Sequence, residues 1–412
     1  MKCILIICDG MGDRPCKDYP KTPLEIAYTP ALDQLAKSGI CGIMDPIKPG
    51  VPAGSDTAHL AIFGYDPFIY YKGRGAFEAI GAGIDVKPGE VAIRANFATI
   101  DSNDIIIDRR AGRKILEGDQ FAESIQNISL DCAPKVKTSF IHTVEHRGVL
   151  KIQGSTLSHN VSDMDPDIEN VKVKKCQPVD SNPKAQKTAE ILNEFYEKTK
   201  KILDKSPLNN IRRQKNLPPV NALLLRGAGI TPKLQTIKEK YNIRASCICG
   251  APLYSGIAQV VGMESIDVQE ATGTVNTNTL AKGTAALKNL DFNDLIFIHI
   301  KGTDSASHDG NYEQKVMMIE KIDAMVNLFL NNIDCEEVLI VITSDHANPI
   351  CVRDHTADPV PIVIVGENCV LNDEVTIFSE RNCASGGLGR IQGLDLIPII
   401  MDLIDKSKKF GA

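Results

Sequence analysis

Four short runs rich in Ile, Val and Leu constrain this chain most: Cys3 to Cys8, Leu295 to Ile300, Val338 to Thr343 and Pro361 to Val365. Runs so short and so apolar read as strands covered on both faces, the pattern of largely parallel sheets flanked by helices. Helical spacing alternates with them. Val316, Ile319, Ile322, Val326, Phe329 and Ile333 recur every three or four residues. A last helix is expected from about Leu394 to Ile404, with Pro398 near its start or kinking it. The alternation predicts an α/β protein.

Three of these runs end in ionisable residues. Asp9 closes the first, Lys301 to Asp304 follows the second, and Asp345-His346 follows the third. His355 precedes the fourth run, and His308 lies four residues beyond Asp304. Carboxylates and imidazoles gathered at strand ends suit ligands at the carboxyl edge of a parallel sheet. An isolated D-x-x-x-H is common and weak, and Asp345-His346 alone would pass for a solvated turn. Three clusters, each at a strand end, are what makes a metal centre the better reading. The mixture suits manganese, zinc or a similar ion, and no thiolate lies in any cluster. Ser55, in Ala53-Gly-Ser-Asp-Thr57, adds a nucleophile that a metal can activate. Its plainer reading is a helix cap, and a helix N-terminus also welcomes phosphate.

Composition narrows the partners. In 412 residues the formal charge is −6, against the basic surface expected of a nucleic-acid binder. An anionic substrate must therefore be drawn by local positive charge or metal. The 12 Cys form no C-x-x-C pair and no short disulfide framework, so they read as reduced thiols of a cytoplasmic protein. No run approaches the ~20 apolar residues that span a bilayer.

The middle of the chain differs in texture. Short alternating segments (Ser139 to Thr143, Gly148 to Ile152) accompany a long polar helix, about Lys184 to Asp204. Because candidate ligands lie on both sides, residues 76–255 are expected as a smaller α/β domain inserted into a core of residues 1–75 and 256–412. Within it, His142-Thr-Val-Glu-His146 matches the H-x-x-E-H metalloprotease pattern. That pattern requires a helix, and its flanks read as strands. Gly81-Ala-Gly83 and Arg226-Gly-Ala-Gly229 lack a full dinucleotide fingerprint and read as turns.

Seven segments together resemble a known family. They are Cys8-Asp-Gly-Met11, Pro52-Ala-Gly-Ser-Asp-Thr-Ala-His59, Gly73-Arg-Gly-Ala-Phe-Glu-Ala-Ile-Gly-Ala-Gly83 and Arg94-Ala-Asn-Phe-Ala-Thr99. The others are Asp108-Arg-Arg-Ala-Gly-Arg113, His299-Ile-Lys-Gly-Thr-Asp304 with His308-Asp-Gly310, and Thr343-Ser-Asp-His346. The set resembles the archaeal-type cofactor-independent phosphoglycerate mutases of the alkaline-phosphatase superfamily. It spans nearly the whole chain. Lys301-Gly-Thr-Asp-Ser-Ala-Ser-His308 departs from that family's more usual Lys-Ala-Thr-Asp-Glu-Ala-Gly-His, but both ligands survive.

The resemblance implies an alkaline-phosphatase-like core and two divalent ions, manganese foremost, with magnesium, cobalt or zinc as alternatives. Asp9, Ser55, Asp345 and His346 would surround one ion; Asp304, His308 and His355 would hold the other. Ser55 would take the phosphoryl group from 3-phosphoglycerate and return it to the 2-hydroxyl, without free 2,3-bisphosphoglycerate. The inserted domain would close over the core and hold the glycerate carboxylate. Arg110, Arg113, Arg147 and Arg226 are the candidates, since arginine grips carboxylate and phosphate bidentately; His159 and Lys301 join them. Each arginine reads equally as a solvated surface charge. A core fold does not fix function, so a phosphatase or phosphonate hydrolase, or a homoserine-kinase-like phosphotransferase, stands as the alternative. A non-catalytic metal- or phosphate-binding protein would be a different class.

Overall fold

A computed structural model describes residues 1–409 and 411. The chain forms two compact units, Met1–Tyr71 with Lys233–Ala412, and Lys72–Pro232. In chain order the first strands are β1 (Lys2–Cys8), β2 (Ile40–Asp45), β3 (Glu90–Ile100), β4 (Ile106–Asp108), β5 (Lys137–His142), β6 (Arg147–Gln153) and β7 (Ala222–Gly229). They are followed by β8 (Ala245–Ile248), β9 (Glu264–Ser265), β10 (Leu295–Ile300), β11 (Val338–Thr343), β12 (Val360–Val365) and β13 (Gly389–Gln392).

The first unit holds an eight-stranded sheet in the order β13-β2-β12-β11-β1-β10-β8-β9. β1 lies between β10 and β11, parallel to both, with Ile7 level with His299 on one side and Thr343 on the other. Nearly every residue of β1, β10, β11 and β12 is buried. Successive side chains of β1 face opposite ways. Ile4, Ile6 and Cys8 join Met318, Ile322 and Met325 of the helix Tyr312–Leu330 in one core cluster. Asn311 caps that helix by accepting from the Gln314 N–H at 3.0 Å. Burying each such Ile is worth roughly 1.5–3 kcal/mol. The C-terminal helix runs Gly393–Leu403 with Pro398 inside it.

One strand departs from the parallel expectation. β12 is antiparallel to both β11 and β2. A parallel return needs a crossover, whereas an antiparallel one needs only a loop, and residues 344–359 contain no helix. The consequence is functional. The start of β12 lies at the same edge as the ends of β1, β10 and β11, so one loop delivers Asp345, His346 and His355 to one place.

The unit boundary also differs from the sequence reading. Residues 233–255 lie in the first unit, where β8 extends the sheet beside β10 and the helix Pro252–Val260 follows it. The second unit holds an antiparallel five-stranded sheet, β4-β3-β6-β5 with β7 on the other side of β3. The helix Pro183–Asp204 packs on it through Ala189, Leu192, Phe195 and Leu203.

The cysteine reading needs correction. Cys16 and Cys351 form a disulfide across 335 residues of sequence, while ten other cysteines are free. The loops bearing them emerge from the adjacent strands β1 and β11, a proximity that no local spacing announces.

Beneath these loops Lys315 is fully buried and donates to Asp13 Oδ2 at 2.8 Å, Asn348 O at 3.0 Å and Gly12 O at 3.3 Å. Lys315→Met leaves the Asp13 carboxylate buried without its partner and is expected to cost roughly 3–5 kcal/mol, read from urea unfolding. A loss under 1 kcal/mol would contradict that account. Nearby, Glu380 accepts from the Asp13 N–H at 3.0 Å and the Thr22 hydroxyl at 2.9 Å. Burial pushes its carboxyl up from 4.5 to about 7. The folded chain thus holds a proton that the unfolded chain releases, and this contribution is lost as pH rises through about 7. Glu380→Gln should flatten the decline in stability as pH rises from 4.5 to about 7. An unchanged slope of urea midpoint against pH would refute it.

Candidate metal centre

Asp9 follows β1 directly, and its N–H donates to Ile300 O at 2.9 Å, which fixes it against the end of β10. The short helix Gly302–His308 starts one residue after Lys301 and turns Asp304 inward while placing His308 one turn on. Asp304 Oδ1 is the meeting point. His346 Nε2 lies 3.2 Å from it, His308 Nε2 3.3 Å, His355 Nε2 3.5 Å, and Asn348 Nδ2 donates at 2.9 Å. The His346 and His355 rings stack at 3.6 Å. Asp9, Asp345 and His346 form one group whose donor atoms all lie within 4.8 Å of one another, and Asp304, His346 and His355 form a second.

The second ring nitrogen of two imidazoles is already committed. His308 Nδ1 donates to Arg353 O at 2.9 Å and His355 Nδ1 to Ala53 O at 2.8 Å. This is the outer bonding that orients metal-ligating histidines. It turns each Nε2 toward the Asp304 carboxylate, so a proton or a divalent cation must lie between them. In the same place Asp9 Oδ1 and Asp345 Oδ2 are buried with no hydrogen-bond partner. An unsatisfied buried polar group costs about 1–3 kcal/mol, and a charged one more. Oxygens and imidazole nitrogens left open in this way fit divalent ions.

Electrostatics reinforce the fit. Burial opposes ionisation of Asp304, but Lys301 and the three imidazoles overcome it and hold the carboxyl well below its usual range. Burial likewise opposes protonation of His346, yet Asp345 and Asp304 push it up to about 10. Lys301 Nζ donates to Asp304 Oδ2 at 2.6 Å and Asp9 Oδ2 at 3.2 Å.

Ser55 is the first residue of the helix Ser55–Ile62, and its cap is Gly54, so the serine is not spent on capping. His59, one turn later, anchors this helix. Its Nδ1 lies 2.6 Å from Ser55 O and 3.5 Å from Asp345 Oδ2. His59, His299 and Asp345 make a third group of donors. Sequence reading left out both of these histidines and Tyr254, whose hydroxyl donates to Asp9. The only sequence signal was the placing of His59 and His299 inside family-like segments.

In the second unit, Arg94 pairs across strands with Arg226, and Asn96 with Arg147. Cross-strand partners share a sheet face, so these four side chains lie on one side of β6, β3 and β7. Arg74 Nε donates to Glu78 at 3.1 Å, and Arg94 Nε lies 3.9 Å from it. Burial, eased by Glu78 and sharpened by Arg74 and Arg147, lowers Arg94 to about 9. Nε of Arg94 and Nε of Arg147 are buried without a hydrogen-bond partner. Among the expected residues, Arg147 and Arg226 thus join this face, although Arg226 also meets Asp167 at 2.7 Å. Arg113 is exposed and turned to Glu145 at 3.3 Å, and Arg110 is exposed. His159 is half-buried, and burial and Lys72 lower its pKa. Arg94 and Arg74 were missed. His142 and His146 flank the turn of the β5–β6 hairpin, with His142 held by Asp119 at 2.9 Å, so the protease pattern has no helix.

Strand-end carboxylates and imidazoles on an α/β sheet, with a serine at a nearby helix start, make the donor set of a metal-dependent enzyme. Comparison with known proteins gives the family. The family model "2,3-bisphosphoglycerate-independent phosphoglycerate mutase" matches residues 36–209. The mutase 1 of that name from Methanocaldococcus jannaschii is 46% identical over 412 residues, covering 100% of this chain and 99% of the relative. That from Archaeoglobus fulgidus is 46% identical over 417 residues, covering 100% of both. A solved Pyrococcus horikoshii protein is 40% identical with TM-score 0.86, covering 100% of this chain and 99% of the other. The cofactor-independent phosphoglycerate mutase of Thermoplasma acidophilum is 36% identical with TM-score 0.69, covering 98% and 100%. The chain belongs to the 2,3-bisphosphoglycerate-independent phosphoglycerate mutase family.

His355→Ala removes a donor facing Asp304. It is expected to weaken binding of one divalent ion by more than the ~10–100-fold that follows loss of an outer partner. Calorimetry with Mn²⁺ on metal-free protein reads this directly; unchanged affinity would remove His355 from the ligand set.

Proposed function

We propose that this chain interconverts 3-phosphoglycerate and 2-phosphoglycerate through a phosphoserine at Ser55, without 2,3-bisphosphoglycerate. The observation that carries the residue assignment is the set of open donors at one sheet edge, with an uncommitted serine on a helix tied to that edge by His59. Full-length family membership supplies the substrate.

In this reading Asp9, Ser55, Asp345 and His346 hold one divalent ion, and Asp304, His308 and His355 a second, with manganese foremost. Bound there, such ions neutralise phosphoryl oxygens and lower the pKa of a serine hydroxyl. The chain's own residues do the rest. Ser55 Oγ forms a bond to phosphorus as the bond to the 3-oxygen breaks, and the proton lost by serine is balanced by one gained at the 3-hydroxyl. The second transfer reverses this at the 2-oxygen. Both transfers need the helix start held still, which the His59 contacts to Ser55 O and Asp345 supply. Lys301 brings permanent positive charge beside Asp9 and Asp304.

The glycerate carboxylate calls for a bidentate cation, and the face bearing Arg94, Arg147 and Arg226 offers three guanidinium groups, although Glu78 lies beside Arg94 and Asp165 and Asp167 engage Arg226. Arg110, Arg113 and His159 stand as further candidates, Arg113 the weakest because Glu145 already engages it. The described residues contain no helix long and apolar enough to cross a membrane. A cytoplasmic location fits a reaction on free phosphorylated metabolites.

The test is conversion of 3-phosphoglycerate in an assay with Mn²⁺ and no bisphosphoglycerate. Ser55→Ala is expected to abolish phosphoenzyme and lower turnover by roughly 10⁴-fold or more while much of the ion binding survives. Release of inorganic phosphate in preference to 2-phosphoglycerate would replace this reading with a hydrolase.

A further inference from the structure

Tyr254 belongs to neither proposed ligand set, yet it is almost fully buried beside the centre. It lies in the helix Pro252–Val260, which follows β8 and so reaches the same sheet edge as the end of β10. Its ring is clamped. His299 stacks on it at 3.5 Å with 20° between the planes, and His59 lies tilted at 5.1 Å. The hydroxyl therefore has little freedom. It accepts from Lys301 Nζ at 2.9 Å and donates to Asp9 Oδ2 at 2.5 Å. An ammonium only donates, so the direction of the relay is fixed from lysine through tyrosine to aspartate.

The two oxygens of Asp9 are consequently unlike. Oδ2 receives Tyr254, has Lys301 at 3.2 Å and His299 Nε2 at 3.1 Å. Oδ1 has no hydrogen-bond partner, is buried, and lies 3.6 Å from His346 Nε2. We infer that Tyr254 is a positioning residue: it engages one oxygen of Asp9 and thereby presents the other to the ion shared with Asp345 and His346. The inference rests on the metal reading above and deepens it. Outer donors of this kind set ligand orientation and basicity.

Two other roles compete. Tyr254 could be packing alone, a ring filling space between two imidazoles. Alternatively, the neighbouring His59, His299 and Asp345 could bind an ion of their own. His59 Nδ1 is taken by Ser55 O at 2.6 Å, whereas His59 Nε2 and His299 Nε2 are buried without a hydrogen-bond partner, so the number of bound ions decides this alternative.

Tyr254→Phe separates these roles, since it keeps the ring and its stack and removes only the hydroxyl. The full-length chain, stripped of metal, is titrated with Mn²⁺ in a calorimeter and with Co²⁺ in a visible spectrometer. Thermal unfolding of the metal-free protein serves as control. The expected result for Tyr254→Phe is affinity at one site lowered by roughly 10–100-fold, the other site unchanged, and an altered Co²⁺ band. The metal-free melting point should fall only as far as the loss of one hydrogen bond allows, and kcat should fall while KM for phosphoglycerate holds. Wild-type affinity and spectrum in Tyr254→Phe would overturn the positioning role and leave the proposed function standing. No ion binding by the wild-type chain would overturn both. A third bound equivalent that disappears in His299→Gln would overturn the assignment of these aromatic neighbours in favour of a separate ion.

Discussion

Three carboxylates buried at one sheet edge govern this structure. Asp9, Asp304 and Asp345 are at most 2% exposed, and each lies within reach of His346. Buried like charges are tolerated only where cations and donors surround them. Much of the first unit is arranged to provide these. Lys301 bridges two of the carboxylates, Asn348 and the Gly10 N–H donate to Asp304 and Asp345, and His346 stands among all three. The remaining open oxygens define what a divalent ion must complete. In this sense the acid cluster is costly to the metal-free chain and advantageous to the loaded one.

The same requirement explains the loops. Lys315 and Glu380 have no part in phosphate chemistry, yet they fix the chain just beyond Asp9 and just beyond His346. The disulfide between Cys16 and Cys351 ties those two loops together again. Backbone position, rather than side-chain reach, is being held, because ligand geometry fails with small displacements.

The donors were legible in the sequence because buried parallel strands announce themselves and their ends are where polar residues stand out. Asp9, Asp304, Asp345 and His346 fall immediately after such runs. His355 was legible only as a neighbour of a fourth run; its convergence depended on β12 turning back antiparallel, which no periodicity encodes. His299 sits inside an apolar strand and Tyr254 inside an apolar helix, so composition hides them as core. The arginines were harder still. Which of them meets an acid, as Arg113 meets Glu145, depends on hairpin register rather than on residue type. Arg94 heads a family-like segment, but its place on the arginine face follows only from the pairing of β3 with β6 and β7.

The central place of β1 between β10 and β11 also orders events in time. A ribosome adds about 5–20 residues per second, so roughly 17–67 s separate synthesis of Asp9 from completion of β11 at Thr343. For most of that interval Asp9 and Ser55 exist without Asp304, His308, Asp345, His346 and His355, all of which lie beyond residue 300. The candidate donor set is complete only once residue 355 has been made, so it can be filled only late in synthesis.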